Sequence, residues 1–234
     1  LAQAEKYLTK ALAFPSFELQ AKASLAVAKA GTQKWEEAYN YAASVSALVQ
    51  DRDPTMLNIV GISASNIGLQ QRAEEAMVKA LDLNPDNPVF HRDLGVILVR
   101  SQQLGRARQH LETAAVSPAA PPEIKNHAIS LVASITEAEI SMSNSLLQSG
   151  KAGEAVPILA RIAGSALTAT ETRQWAEEMV RKHNLQPAEM PTPAPQMPLQ
   201  QPVTAPGGET GVGAGEPTSV TPSGTVIFQA PQGN

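Results

Sequence analysis

Residues 54–87 have the sequence PTMLNIVGISASNIGLQQRAEEAMVKALDLNPDN, the clearest unit of a pattern that recurs along the chain. Apolar residues fall at helical spacing in two segments separated by a short turn, which predicts two packed helices. The small residues Gly61, Ala73 and Ala80 stand where two helices must touch, and larger apolar residues surround them. The segment Asn84–Asn87 contains a proline that stops the second helix, and the pattern then begins again.

The unit recurs with a nearly constant period. The alanines that open each second helix are Ala4, Ala38, Ala73 and Ala107. Their separations of 34, 35 and 34 residues indicate an array of helical repeats. The segment AEKYLTKAL at Ala4 parallels AEEAMVKAL at Ala73, so we expect Leu1 to fall in the middle of a repeat whose first helix is missing.

This pattern resembles the tetratricopeptide repeat (TPR) family. The first helix of that repeat carries a leucine–glycine pair, and the second carries an alanine, a large apolar residue and another alanine before a proline. The matching residues of one unit are Val60, Gly61, Ala73, Met77, Ala80 and Pro85. Those of the next are Leu94, Gly95, Ala107, Leu111 and Ala114, with Pro118 slightly early. The resemblance covers residues 1–121 and implies an all-α fold, an α-solenoid of antiparallel helix pairs in a right-handed superhelix.

The register of the repeats breaks after Pro121. Residues 123–148 contain neither proline nor glycine, so they could form one long helix or two helices that meet near residues 134–138. The sequence GKAGEA at residues 150–155 again resembles the repeat's turn, which predicts an insertion of about four helical turns before a degenerate repeat. We expect a TPR-like domain over residues 1–184: a second helix at 1–18, repeats at 19–53, 54–87 and 88–121, an inserted helix at 122–135, a degenerate repeat at 136–168 and a capping helix at 169–184.

The composition changes completely after residue 184. Residues 185–234 contain no lysine or arginine and are rich in Pro, Gly and Gln, which predicts a disordered tail. One short β-prone segment, Thr225–Phe228, could add a strand to the edge of a partner's sheet, or could simply be an apolar stretch of a disordered end.

Composition also excludes several classes of function. A net charge of -4 without a basic stripe argues against a nucleic-acid binder. No run of about 18 apolar residues exists, so we predict no membrane-spanning helix. The absence of cysteine excludes disulfides and thiolate metal sites. It suits the bacterial cytoplasm and the periplasm or envelope equally, so localisation stays open, and the sequence does not indicate an oligomeric state.

No catalytic, cofactor or metal motif is evident, and we predict a non-enzyme without a cofactor. The histidines are too far apart in sequence to form a metal pair on one helix. The segment His91–Leu94, HRDL, imitates the catalytic loop of protein kinases, but it lies inside a predicted helix and lacks the glycine-rich loop and strand lysine of such a site.

The resemblance to TPR proteins implies a binding surface, because selected positions of each first helix face the concave groove in that family. The matching partner-binding candidates are Asn58, Ile62, Ser65, Asn66, Val89, Arg92, Val96, Val99 and Arg100. An extended or helical peptide could lie there, with Asn58 and Asn66 bonding its backbone and Arg92 or Arg100 meeting a carboxylate. The two-carboxylate clamp of chaperone-binding members is not reproduced. The groove could instead be filled by the chain's own tail or be solvated.

We therefore interpret the chain as a non-enzymatic scaffold or adaptor that binds a protein or peptide partner. Its Ala- and Gln-rich repeats and Pro-rich tail are similar in style to bacterial repeat proteins of envelope, pilus and secretion-system assembly. The alternative is an accessory repeat module of a larger enzyme, for example a glycosyltransferase, whose N-terminal part is missing.

Overall fold

The computed structural model describes residues 2–183, which form ten α-helices and contain no strand. The helices are α1 (Ala2–Ala11), α2 (Glu18–Gly31), α3 (Trp35–Leu48), α4 (Pro54–Asn66), α5 (Gln70–Leu83), α6 (Pro88–Arg100), α7 (Leu104–Val116), α8 (Pro122–Gln148), α9 (Ala152–Gly164) and α10 (Thr170–Lys182). None of the helices in this part of the chain is both long and apolar enough to cross a membrane. The predicted tail at 185–234 and its segment Thr225–Phe228 lie outside the described residues.

Two of the first helices begin with the same capping arrangement one repeat apart. The Asp53 carboxylate accepts hydrogen bonds from the backbone N–H groups of Thr55 and Met56, and Pro54 occupies the first helical position. Asn87 caps α6 similarly: its side-chain oxygen accepts a hydrogen bond from the backbone N–H of Val89, and Pro88 occupies the first helical position. Proline is tolerated there because the first N–H groups of a helix have no partner within the helix. The sequence therefore fixes where α4 and α6 start.

The described helices form an α-solenoid of antiparallel, TPR-like pairs, as predicted. Each first helix packs against its second helix: α2 on α3, α4 on α5, and α6 on α7. The first helices also contact one another, α2 with α4, α4 with α6, and α6 with α8, whereas no contact of comparable extent joins α3 to α5 or α5 to α7. The first helices thus form an inner layer, and the second helices spread apart behind it.

Glycine allows the closest approach within two of these pairs. A Cβ atom on Gly61 would lie 2.6 Å from Cγ of Met77, and one on Gly95 would lie 2.6 Å from Cγ of Leu111. In the pair α2–α3 the equivalent positions are Ala26 and Ala42, both fully buried. A small residue therefore faces a large one in two pairs, and two small residues face each other in the third.

The turn within each pair contains one residue with left-handed backbone. These residues are Gln33, Gly68, Gln102 and Gly150, with φ values of 58°, 85°, 58° and 73°. Gln102 follows Gly68 by 34 residues, but Gly150 follows Gln102 by 48, an excess of 14. Since α8 has 27 residues and α6 has 13, the excess of 14 lies within α8. Fourteen residues correspond to about four helical turns.

Helix α8 is continuous, so the expected boundary between residues 135 and 136 does not separate two helices. It coincides instead with a change of packing partner. Ala128, Val132 and Ile135 belong to the core shared with α4 to α7, whereas Ile140 and Leu146 pack against the core of α9 and α10. Of the two alternatives that the sequence left open, the structure has the single long helix.

A buried cluster of charges joins α7, α8 and α9 at this point. The Glu139 carboxylate, 1% exposed, lies 2.7 Å from Nη2 of Arg108 and 3.0 Å from Nη2 of Arg161. Arg108 also donates to the Thr136 hydroxyl at 2.8 Å, and its side chain is 3% exposed. Two guanidinium groups on different helices thus share one carboxylate, which fixes the position of α9 relative to α7.

Candidate functional site

Polar side chains of α4 and α6 contact each other at two places along the inner layer, which we call the first and second levels. The Asn58 side chain interacts with Asp93, which follows it by 35 residues. Seven residues further along each helix, Nη1 of Arg100 donates to Oγ of Ser65 and to Oδ1 of Asn66, each at 3.2 Å. The two residues of each contact are 34 or 35 residues apart in sequence, which is the repeat period. Equivalent positions of α4 and α6 therefore lie side by side.

The first level forms a group of four residues, Asn58, Arg92, Asp93 and His127, which we call the Asp93 cluster. Asp93 is 6% exposed, and its Oδ1 lies 2.7 Å from Nε of Arg92. Nη1 of Arg92 lies 3.4 Å from Nδ1 of His127 on α8. Burial raises the pKa of Asp93 to about 6, although the Arg92 charge and the Asn58 hydrogen bond both act to lower it.

In the Asp93 cluster the buried hydrogen-bond donors and acceptors are not matched to one another. Oδ2 of Asp93 and Oδ1 of Asn58 are both buried without a partner. Nε of Arg92 is close to Asp93 but is not aligned for a hydrogen bond, because the two residues are neighbours in one helix. Helix α4 contains no charged residue that could compensate. Buried polar groups without partners are uncommon, and they concentrate where a structure has a task beyond folding.

The second level holds Arg100 in place on the surface. Ser65 is buried and Asn66 is exposed, and the amide of Asn66 also donates to the carbonyl of Ile62 at 2.8 Å. Among the described residues no carboxylate forms an ion pair with Arg100, which is itself exposed. Ser65 and Asn66, expected from the sequence to face a ligand, therefore support the Arg100 side chain.

The apolar candidates lie around these polar groups. Ile62, Val89, Val96 and Val99 are half-buried, and Val89 and Val99 pack against the main core. Asn58 and Arg92 are half-buried as well. Asp93 and His127 were not among the sequence candidates, although each follows a candidate, Asn58 or Arg92, by 35 residues, and this spacing could have identified them.

A second titratable pair, His91 and His110, lies between α6 and α7. Their Nδ1 atoms are 3.0 Å apart, and Nε2 of His91 lies 2.8 Å from the carbonyl oxygen of Pro85. Burial lowers the pKa of His91, and burial together with the nearby His91 and Arg106 charges lowers the pKa of His110 to about 4. Neutral His91 then donates to Pro85 through Nε2 and accepts from His110 through Nδ1. Within residues 2–183 no group of three His, Asp or Glu side chains is arranged to hold a metal ion.

Comparisons with known proteins found similarity at the level of structure and not of sequence. No family model matches the chain, and a search of curated proteins found no match. A search of solved structures found the crystal structure of MamA protein, which is 16% identical, with a TM-score of 0.41. The match covers 73% of this chain and 98% of that chain. At this identity and TM-score the match carries no argument, and the assignment of TPR-like helix pairs rests on the contacts described above.

Proposed function

We propose that the chain is a non-enzymatic scaffold whose inner layer, along α4 and α6, binds a peptide or partner helix that carries acidic side chains. The observation that supports this proposal is the state of Arg100. Its guanidinium is exposed, is oriented by Ser65 and Asn66, and has no carboxylate partner in the described residues. A side chain already held in one orientation loses less entropy when it binds, so Arg100 is suited to an external carboxylate.

The spacing of the two arginines limits the shape of the partner. Arg92 and Arg100 are eight residues apart on α6, which is about 12 Å along the helix axis. Two carboxylates at that distance fit residues about four apart in an extended peptide, at about 3.3 Å per residue. The half-buried Val96 and Val99 lie in the same stretch and would contact apolar groups of the partner.

The proposal also covers the division of the chain into domains and its cellular role. A division into a repeat domain at 1–184 and a tail at 185–234 would let one part bind while the other connects to further components. A role in bacterial envelope, pilus or secretion-system assembly rests on the style of the sequence alone, on its Ala- and Gln-rich repeats and Pro-rich tail.

The test is peptide selection followed by affinity measurement. Peptides selected from a random library against the full chain should be enriched in Asp and Glu. Their binding, measured by fluorescence anisotropy, should weaken at least about tenfold in Arg100→Glu, since a charged hydrogen bond contributes about 1.5–3 kcal/mol. Arg181→Glu is the matched control, because Arg181 is exposed on α10, away from α4 and α6, and pairs with Glu177. Equal affinity of wild type and Arg100→Glu would exclude the inner layer as the binding surface.

A further inference from the structure

We propose that Asp93 is an internal competitor for Arg92: the charged carboxylate holds the guanidinium, and protonation of Asp93 releases it to an acidic group of the partner. This inference rests on the proposed function and concerns the regulation of that surface. Binding of acidic partners is then tighter at mildly acidic pH than at neutral pH.

The contact between the two side chains makes the competition unavoidable. Nε of Arg92 lies 2.7 Å from Oδ1 of Asp93, and no other cation of the described residues forms an ion pair with Asp93. A partner carboxylate that takes Arg92 away leaves a negative charge on a side chain that is 6% exposed. An unpaired buried charge is costly, so the charged form of Asp93 opposes binding at Arg92.

One proton would remove this opposition by removing the negative charge. A protonated carboxyl group also carries an O–H donor that the charged form lacks. The cluster contains two buried oxygens without a partner, Oδ2 of Asp93 and Oδ1 of Asn58. Protonation of Asp93 makes one of its oxygens a donor. The neutral cluster is therefore stable without Arg92, whereas the charged cluster is not.

The electrostatics of Asp93 agree with this order of events. Burial raises its pKa to about 6, and the Arg92 charge is the largest influence in the opposite direction. Removing Arg92 to a ligand must raise the pKa further, so ligand binding and proton uptake favour each other. The groups that face the Asp93–Arg92 pair are Asn58 from α4 and His127 from α8. The contribution of His127 must be tested separately.

The experiment uses fluorescein-labelled hexaglutamate as the probe and hexaglutamine as the neutral control, with the full chain, at constant ionic strength. Hexaglutamate should bind about tenfold more tightly at about pH 5.5 than at about pH 7.5, the change that one pKa unit represents. Asp93→Asn should bind tightly at both pH values, and His127→Gln should keep the wild-type dependence. Arg100→Gln should weaken binding by a similar factor throughout.

The inference is overturned if Asp93→Asn keeps the pH dependence or if His127→Gln loses it. Binding of hexaglutamate by wild type that does not vary with pH would overturn the inference and leave the proposed function intact. Failure of both hexaglutamate and selected peptides to bind would count against the proposed function itself. A readout that needs no ligand is the titration of the Asp93 carboxyl by carbon-13 NMR. Its pKa should be higher in Arg92→Met than in wild type, and an unchanged value would also overturn the inference.

Discussion

Exchanging Gly61 for alanine should destabilise the protein only while Met77 is present. The new Cβ atom would lie 2.6 Å from Cγ and 2.7 Å from Sδ of Met77, and 3.2 Å from the carbonyl oxygen of Ala73. Met77 is fully buried in the main core and has little room to move. Overpacking of this kind costs about 1–3 kcal/mol, against a gain of about 1 kcal/mol from replacing glycine within a helix. We expect Gly61→Ala to lower the free energy of unfolding by up to about 2 kcal/mol.

In the Met77→Ala background the same change should have the opposite sign. Met77→Ala alone opens a cavity and should cost about 2–5 kcal/mol. Adding Gly61→Ala then creates the combination that α2 and α3 already have in Ala26 and Ala42. The clash is gone, the new methyl group fills part of the cavity, and the gain in helix propensity remains. The double variant should therefore be more stable than Met77→Ala, by about 1 kcal/mol.

Urea denaturation followed by far-ultraviolet circular dichroism measures the four free energies of the cycle. Gly153→Ala is the matched control, because Gly153 lies in helix α9 and a Cβ atom there would meet nothing within 4 Å. It should leave stability unchanged or raise it slightly. An equal loss from Gly61→Ala in both backgrounds would refute the packing argument, because the cost would then not depend on Met77.

Three further changes test other features. Glu139→Gln should lower the free energy of unfolding, measured by urea denaturation, by about 3–5 kcal/mol, because two guanidinium groups lose their shared carboxylate. The control Glu137→Gln, at an exposed position, should change it by less than about 0.5 kcal/mol. The pKa of His110 is lowered to about 4 in the folded protein, so as pH falls His110 gains a proton in the unfolded chain before it does so in the folded one. The protein should therefore lose up to about 3 kcal/mol of stability between about pH 6.5 and pH 4. Between about pH 6 and 3.8 the raised pKa of Asp93 acts in the opposite direction and adds stability as pH falls. Asp93→Asn should therefore steepen the acid loss seen in thermal melts, and an unchanged slope would contradict the assignment for Asp93. Gly68→Ala should cost about 1 kcal/mol, because its φ of 85° suits glycine, and a neutral result would show that the turn relaxes.

The sequence predicted the features that depend on short-range patterns. The period of the alanines and the glycines at helix contacts give the helix pairs, because close packing needs particular residues at particular positions. Whether residues 122–148 form one helix or two could not be derived, because neither proline nor glycine marks a break there.

The candidate site was predicted less completely, because its chemistry depends on contacts between α4, α6 and α8. That Asn58 and Asn66 face a ligand stays a prediction. In the structure Asn58 interacts with Asp93, and Asn66 bonds Arg100 and the carbonyl of Ile62. A periodicity argument assigns residues to a face of one helix and does not state which neighbour uses their hydrogen bonds. Asp93 on α6 is buried beside α4, which has no charged residue. This burial depends on how the two helices pack and cannot be derived from the pattern of α6 alone.

Helix α8 gives the end of the array a different cooperativity from the rest. In most repeat arrays each unit is coupled only to its neighbours, so terminal units open independently. Here the first 14 residues of α8 complete the core of the preceding repeat, and the following 13 form a pair with α9. Fraying of the last pair must either break α8 near residue 135 or unfold about 21 Å of helix that the main core holds in place. The C-terminal units should therefore exchange their amide hydrogens as one block with α7, and not repeat by repeat.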